Sequence, residues 1–299
     1  MIYLDYPNKG HIASTHYKAV KGYVMRQPDA MQNKLYTEIR KLYKELPKNR
    51  RTADYSWLRR FILADCRTLD SWVKTQPDDL KDEFFRKLYL RHFAKDPVTF
   101  VDKAKTYNAY TLLDMIGFHV CPYCDEEYID IISTIEGDRR TYDIDHFHPK
   151  GKDEYPLLAM CFYNLIPSGK GCNQTMNITS IEANPYDNNI ETWSRFVQDT
   201  PIGQLIDSLD NKELKIRLQT TAGMAINNAV LAIERRYNNR KYELRRMFKL
   251  RELFRPENIE EKKRLGISEE TLRVTLGEPY PAERGKTIHQ KLRHDLLGF

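Results

Sequence analysis

The sequence predicts a mainly helical α+β protein, with helices at both ends and a small β-containing segment between them. Three observations predict this class. Apolar residues recur at helical spacing up to about residue 115, β-branched and alternating residues follow in 121–186, and an amphipathic helical pattern returns in 226–254. We therefore divide the chain into a helical N-terminal region (1–115), a central module (116–188) and a mostly helical, basic C-terminal region (189–299).

The N-terminal region carries several amphipathic stripes. Their apolar positions are separated mainly by three or four residues, the spacing that places side chains on one helical face. We interpret their aromatic residues as helical core, and Cys66 among them as a packed core thiol. One more helix is predicted over 106–118. The stripes consist of Leu35, Ile39, Leu42 and Leu46, then Trp57, Phe61, Leu69 and Trp72, then Phe84, Leu88 and Phe93.

The central module has a β-type pattern. Residues 127–135 (EYIDIISTI) are apolar and β-branched, the next five residues contain Gly137, and 141–147 (TYDIDHF) alternate between apolar and polar. This order predicts a β-hairpin whose turn is 136–140, which contains Gly137. A short apolar run over 161–167 follows, and 172–183 have the composition of a helix that begins near Cys172.

The C-terminal region contains a predicted short strand at 214–221 and a long amphipathic helix over 226–254. Within 235–255 there are nine basic residues and two acidic ones. Such a helix is either a solvated surface or a nucleic-acid contact, and the charge excess favours nucleic acid. The candidate phosphate contacts are Arg235, Arg236, Arg245 and Arg246.

Composition limits the class of protein. The net charge of +6 suggests a polyanionic partner, and no apolar run is long enough to span a membrane. The first twenty residues lack a secretory signal pattern, so a cytoplasmic location is expected. Five cysteines, an odd number, argue against a disulfide framework and in favour of metal or redox chemistry at the close pair of Cys121 and Cys124.

The central module also carries a set of chemically competent residues in a fixed order. Cys121 and Cys124 come first, then Asp145 and His146, then Asn164, then Cys172 and Asn173. Hydrolysis of a phosphodiester needs a base for the attacking water and a cation at the phosphate. Asp145 and Asn173 offer oxygen ligands that suit Mg²⁺ or Mn²⁺, and His146 offers an imidazole as the base.

This order resembles the HNH (ββα-metal) endonuclease family, in particular its zinc-knuckle branch with the pattern CxxC, DH, NL and CxxCN. The resemblance implies a nuclease that cleaves DNA, with His146 as general base and Asp145 and Asn173 as ligands of a catalytic Mg²⁺ or Mn²⁺. It also implies that the side-chain oxygen of Asn164 holds one ring nitrogen of His146. Asn177, one helical turn after Asn173, is a further candidate ligand or phosphate contact.

The same resemblance implies a structural zinc ion bound by Cys121, Cys124 and Cys172. Here the sequence departs from the family pattern, because Gly169 stands where another cysteine is expected. Tetrahedral zinc takes four ligands, so the fourth is open: Cys161, His148 or a water are candidates, and weak or absent zinc binding is the alternative.

Three further residues have two interpretations each. Lys150 and Lys170 are either phosphate neighbours or solvated surface lysines. His148 lies two residues after His146, so in a continuous strand it would point to the same face and either assist the site or contact phosphate. A purely structural role for His148 is equally consistent with the sequence.

A finer likeness, in 145–150, 155–168 and 183–187, is to HNH proteins encoded beside ABC-type or AAA-type ATPases, including those of Septu-type and retron-associated anti-phage systems. It implies a defence role against phage or plasmid DNA and an ATPase partner. Two other functions stay open. One is a non-catalytic nucleic-acid- or partner-binding module on a degenerate zinc knuckle; the other is a thiol-disulfide enzyme at 121–124, for which the expected preceding strand is missing.

Overall fold

The structure is a computed structural model, which describes residues 1–95, 107–176, 179–199, 214–253, 256–268, 270–271, 275 and 284–297. The chain forms two compact units, each assembled from separate stretches of sequence. The first unit contains Met1–Leu4, His119–Tyr128 and Gly169–Phe299, and the second contains Asp5–Phe118 and Ile129–Ser168. The mainly helical α+β class is confirmed, whereas the division at residues 115 and 188 stays a prediction.

Side-chain caps begin two helices of the second unit, and a glycine ends one of them. The side chain of Asp65 accepts a hydrogen bond from the Thr68 amide (2.8 Å) and so starts α4. Asn108 and Thr111 form a reciprocal cap at the start of α6, which ends at Gly117 with a φ of 63°. The helices are α1 (Lys9–Met25), α2 (Asp29–Leu42), α3 (Ser56–Ile62), α4 (Cys66–Thr75), α5 (Phe84–Leu88), a π-helical turn (Tyr89–Phe93) and α6 (Ala109–Ile116).

Aromatic residues form the core of the second unit, as their helical spacing predicts. Phe61 stacks on Trp72 and on Phe85, with ring centroids 5.5 and 5.7 Å apart. These side chains are almost fully buried, and so is Cys66. Burial of an aromatic ring stabilises a fold by roughly 1.5–3 kcal/mol, so these rings hold the helices together.

The strands of this segment pair differently from the prediction. The elements are β1 (Ile131–Thr134), β2 (Gly137–Arg140), β3 (Tyr142–His146) and β4 (Leu165–Gly169). β1 pairs antiparallel with β2 through a two-residue turn before Gly137, whose φ is 113°. Because so tight a turn brings 137–140 back onto β1, β3 is left to pair with β4 instead. A hairpin is present, but the prediction of its turn and of its second strand is wrong: the turn is 135–136, and residues 137–140, predicted as the turn, form the second strand in place of 141–147.

The first unit combines one small sheet with several helices. β5 (Ser194–Gln198) and β6 (Ile216–Thr220) are antiparallel, with Ser194 opposite Thr220, so the strand predicted at 214–221 is confirmed. α12 packs against β5 and α10. The helices are α7 (Lys170–Met176), α8 (Ala222–Leu231), α9 (Ile233–Asn239), α10 (Lys241–Leu253), α11 (Pro256–Arg264) and α12 (Gln290–Leu297).

The single long helix predicted over 226–254 is wrong. Ala232 adopts a left-handed conformation (φ 51°), and Arg240 leaves helical geometry with a ψ of 56°, so α8, α9 and α10 are separate. The longest described helix, α1, has 17 residues. In the described parts of the chain, no helix combines the length and apolarity that a bilayer span requires.

Candidate functional site

The strand β3 carries the Asp-His pair at its end. Tyr142, Ile144 and His146 are buried, whereas Asp143 and Asp145 between them are half-buried. Successive residues of a strand point to opposite faces, so His146 turns towards the interior and Asp145 to the other side. The carboxylate and the imidazole therefore leave the strand in different directions.

Both ring nitrogens of His146 have neighbours within the second unit. Nε2 lies 3.1 Å from the carbonyl oxygen of Ala159, and Nδ1 lies 3.2 Å from the ammonium group of Lys150. Because a carbonyl only accepts hydrogen bonds, Nε2 carries the proton of the neutral ring. Nδ1 is then the nitrogen with the lone pair.

The environment of His146 keeps the ring neutral. Burial lowers the pKa of His146 well below its usual value, and the positive charge of Lys150 lowers it further, against a smaller opposing effect of the Ala159 carbonyl. Burial has this large effect because only 5% of the residue is exposed to water.

Asn164 holds the backbone that follows β3. Its side-chain oxygen accepts a hydrogen bond from the His148 amide (2.7 Å), and its side-chain nitrogen donates to the carbonyl oxygens of His148 (3.0 Å) and Leu158 (3.1 Å). The expectation that its oxygen holds the His146 ring is therefore wrong, because the backbone saturates this fully buried amide. Asn164 fixes the turn after His146 and not the imidazole.

His148 does not continue the strand, which ends at His146. Its Nε2 lies 2.9 Å from the carboxylate of Asp70 on α4, and its ring contacts Phe147 and Tyr155 edge-on. The prediction that His148 shares a face with His146 is therefore wrong. The contacts with Asp70 and the two rings favour the structural interpretation of this residue.

Lys150 is a partly buried cation beside the imidazole. Its ammonium group lies 4.8 Å from the centre of the Tyr89 ring, and this ring in turn meets His146 edge-on at 4.4 Å. Burial lowers the pKa of Lys150. The arrangement places one positive charge within reach of the basic nitrogen of His146.

Three cysteines of the first unit converge. The sulfur atoms of Cys121, Cys124 and Cys172 all lie within 4.8 Å of one another, and all three residues are fully buried. Thiolates are the preferred ligands of structural zinc, so this donor set fits the ion that the resemblance implies. In the described residues, no other group of His, Cys, Asp and Glu meets the same condition.

The electrostatics of the three thiols indicate a shared negative charge. Burial opposes ionisation of Cys121, but hydrogen bonds from Cys124 and Cys172 and from the Gly169 backbone bring its pKa well below the usual value. Donation to Cys121 raises the pKa of Cys124 to about 12, and the pKa of Cys172 rises for the same reason. Cys121 therefore favours the thiolate, which the thiols of Cys124 and Cys172 stabilise by hydrogen bonds, and a bound metal would displace those two protons.

The two side chains that the sequence offers as a fourth zinc ligand have other partners. Cys161 is a buried residue of the second unit, and its thiol donates to the carbonyl oxygen of Phe61 at 3.5 Å. Burial raises the pKa of that thiol well above its usual value, which disfavours the thiolate that zinc requires. His148 faces Asp70, as described above.

Glu127 is a residue of this centre that the sequence did not indicate. One of its carboxylate oxygens lies 3.9 Å from the sulfur of Cys172 and the other accepts a hydrogen bond from the Gly171 amide at 3.2 Å. Arg236 on α9 donates to the same carboxylate at 3.0 Å. The only signal in the sequence is its place three residues after Cys124, and that spacing is not specific.

The remaining predicted site residues belong to the first unit. Asn173 is half-buried on α7, and Asn177 lies outside the described residues. Of the predicted phosphate contacts, Arg235 and Arg246 are exposed and Arg245 is half-buried. Arg236 is instead an ion-pair partner of Glu127.

Comparison with known proteins gives no match to a family model, to a curated protein or to a solved structure.

Proposed function

We propose that this protein is a metal-dependent endonuclease of the HNH type, which hydrolyses phosphodiester bonds of DNA. The observation that carries the proposal is the state of His146. Its Nε2 faces the Ala159 carbonyl, so the neutral ring presents a lone pair on Nδ1, and the Lys150 ammonium group lies 3.2 Å from that nitrogen. A fixed tautomer beside a cation is what a base that acts near a phosphate needs.

In the proposed reaction, Lys150 first leaves the imidazole and pairs with a phosphate oxygen, which frees Nδ1 of His146. Nδ1 then takes a proton from the water that attacks phosphorus. Asn164 contributes by fixing the backbone that links His146 to Lys150. The oxygen donors Asp145 and Asn173 would hold Mg²⁺ or Mn²⁺, which neutralises charge at the phosphate and at the departing oxygen.

Plasmid cleavage tests the proposal. Supercoiled plasmid is incubated with the full chain and Mg²⁺ or Mn²⁺, and nicked and linear products are measured over time. Loss of a general base lowers a rate by roughly 10²–10⁴-fold, so we expect H146A to fall by that factor. H11A is the matched control, since His11 is an exposed histidine of the same unit, and it should cleave like the wild type.

Equal cleavage by the wild type and H146A would refute the nuclease function and favour the binding module on a zinc knuckle. Chelation of the divalent cation should stop cleavage by the wild type. Added Mg²⁺ or Mn²⁺ should restore it.

We further propose, from the resemblance alone, that the nuclease acts on phage or plasmid DNA in complex with an ABC-type or AAA-type ATPase. Co-purification from the native host tests this partner. Recovery of the chain without any ATPase would refute it and leave the cleavage proposal unaffected.

A further inference from the structure

The space that a cysteine at position 169 would need is filled by Glu127. A side-chain carbon built on Gly169 would overlap the carboxylate of Glu127, and one built on Gly171 would overlap it too. The two glycines therefore let this carboxylate approach the cysteine cluster. The glycine that departs from the CxxCN pattern and the position of Glu127 therefore depend on each other, because the carboxylate occupies the space of the missing side chain.

We propose that Glu127 supplies the fourth ligand of a zinc centre whose other ligands are Cys121, Cys124 and Cys172. Its nearer carboxylate oxygen is 3.9 Å from the sulfur of Cys172, whereas two donors bound to one tetrahedral ion with bonds of about 2.0 and 2.3 Å lie roughly 3.5 Å apart. The carboxylate would therefore move a short distance towards the three sulfur atoms when the ion binds. The hydrogen bond from the Gly171 amide orients the carboxylate, in the way that outer partners orient metal ligands.

Arg236 offsets part of the excess negative charge of the proposed zinc centre. Three thiolates and one carboxylate carry more negative charge than Zn²⁺ neutralises, and the guanidinium group of Arg236 lies 3.0 Å from the Glu127 carboxylate. Its side chain is 23% exposed, so the pair is partly screened from water. Arg236 therefore belongs to the metal centre and not to a nucleic-acid surface.

The rival explanation is that Glu127 accepts a hydrogen bond from a protonated Cys172 and that no metal binds. The two explanations differ in metal content, in zinc affinity and in the number of sulfur ligands. None of these readouts depends on nuclease activity, so the inference stands or falls separately from the proposed function.

Zinc affinity is the first test. The full chain is loaded with zinc sulfate, its metal content is measured, and the affinity is obtained by competition with a chromophoric chelator. We expect one zinc ion per chain and a loss of affinity of at least about 100-fold in E127Q, since even outer partners of metal ligands are worth roughly 10–100-fold. The near-isosteric glutamine keeps the volume of the site.

E243Q is the matched control for this measurement. Glu243 lies in the same unit, its side chain is 31% exposed against 29% for Glu127, and it also has an arginine partner. The control should keep the affinity of the wild type. Equal affinities of E127Q and E243Q, or the absence of zinc from the wild type, would overturn the proposal.

The second test restores the missing cysteine. In the double variant E127A/G169C the obstructing carboxylate is gone, so the new thiol has room beside Cys172. Cobalt chloride is added to metal-free protein, and the sulfur-to-cobalt absorption is recorded. We expect three thiolate ligands in the wild type, four in the double variant, and recovery of the affinity that E127Q loses. Four thiolates in the wild type would contradict the assignment of Glu127.

Discussion

At the scale of single residues, burial decides which side chains can exchange protons. His146 and His16 are both buried, and burial lowers the pKa of each. They differ in their partners. His146 has an ammonium group at its Nδ1, whereas His16 faces the Tyr107 hydroxyl at 3.0 Å and the Met160 carbonyl at 2.9 Å. His16 therefore has the contacts of a structural histidine, whereas Nδ1 of His146 lies beside the positive charge of Lys150.

The buried His16 predicts a loss of stability in acid. Burial lowers its pKa to about 4, while the unfolded chain protonates it near 6.5. Between these values the unfolded state binds the extra proton, so the contribution of His16 is present above pH 6.5 and is lost as the pH falls to 4. One group with this shift accounts for roughly 3 kcal/mol of unfolding free energy.

Urea unfolding of the wild type and H16Q at several pH values measures this effect. The wild type should lose roughly 3 kcal/mol more than H16Q between pH 7 and pH 4, although H16Q is less stable at pH 7. The same pH dependence in both proteins would mean that His16 titrates normally in the folded state.

At the scale of elements, the turn that directly follows His146 at the end of β3 depends on one amide side chain. Asn164 is fully buried and bonds to both backbone groups of His148 and to the carbonyl of Leu158. An asparagine can satisfy three such groups at once because its amide both donates and accepts. The turn thereby holds the chain between His146 and Lys150 in one conformation.

We expect N164A to destabilise the protein by roughly 3 kcal/mol or more, because buried backbone groups lose their partners. Denaturant unfolding checks this. N227A is the matched control: Asn227 is also fully buried and bonds to the backbone of Glu182 and Ala183. Both variants should be destabilised, but only N164A should lose plasmid cleavage at temperatures where both are folded. Undiminished cleavage by N164A would remove this turn from the proposed site.

Periodicity in the sequence predicted individual helices and strands better than it predicted which strands pair. The buried alternation of β3, the strand β6 and the helical stripes follow from periodicity, which the sequence displays directly. The pairing of β3 with β4 does not follow from periodicity. It arises because the two-residue turn at Ile135 and Glu136 pairs β1 with β2, so that β1 is not available to β3. The sequence also did not indicate the break between α8 and α9 at Ala232, because alanine rarely adopts a positive φ.

The candidate site was predictable in its residue types and less so in its contacts. The spacing of the cysteines indicated the cluster of three sulfur atoms. Glu127 was missed because its role depends on a distant glycine, Gly169, whose missing side chain makes room for the carboxylate. The role of Asn164 was misassigned because the backbone of His148 competes successfully for its amide.

At the scale of the whole molecule, the excess of basic residues favours a polyanionic partner. The net charge is +6, and Arg235, Arg245 and Arg246 lie at exposed or half-buried positions of α9 and α10. Arg236 pairs with Glu127. A test of this surface therefore uses the other three proposed phosphate contacts.

The salt dependence of DNA binding tests this surface. Each phosphate contact contributes about 0.9 to the slope of log affinity against log salt concentration. The variant R235A/R245A/R246A should therefore lose about 3 from the slope if each arginine makes one contact. K44A/K48A/R51A removes as much charge from exposed positions of the second unit and should keep the slope of the wild type. Equal slopes for both variants would exclude the surface.

We propose that Asp145 holds a divalent cation beside His146, and the nuclease function depends on this ion. Binding of Mn²⁺ to zinc-saturated protein, followed by electron paramagnetic resonance, tests the proposal most directly. Wild type should bind one Mn²⁺ ion, and D145N should lose at least about tenfold in affinity. An affinity of D145N for Mn²⁺ equal to that of the wild type would contradict the proposal.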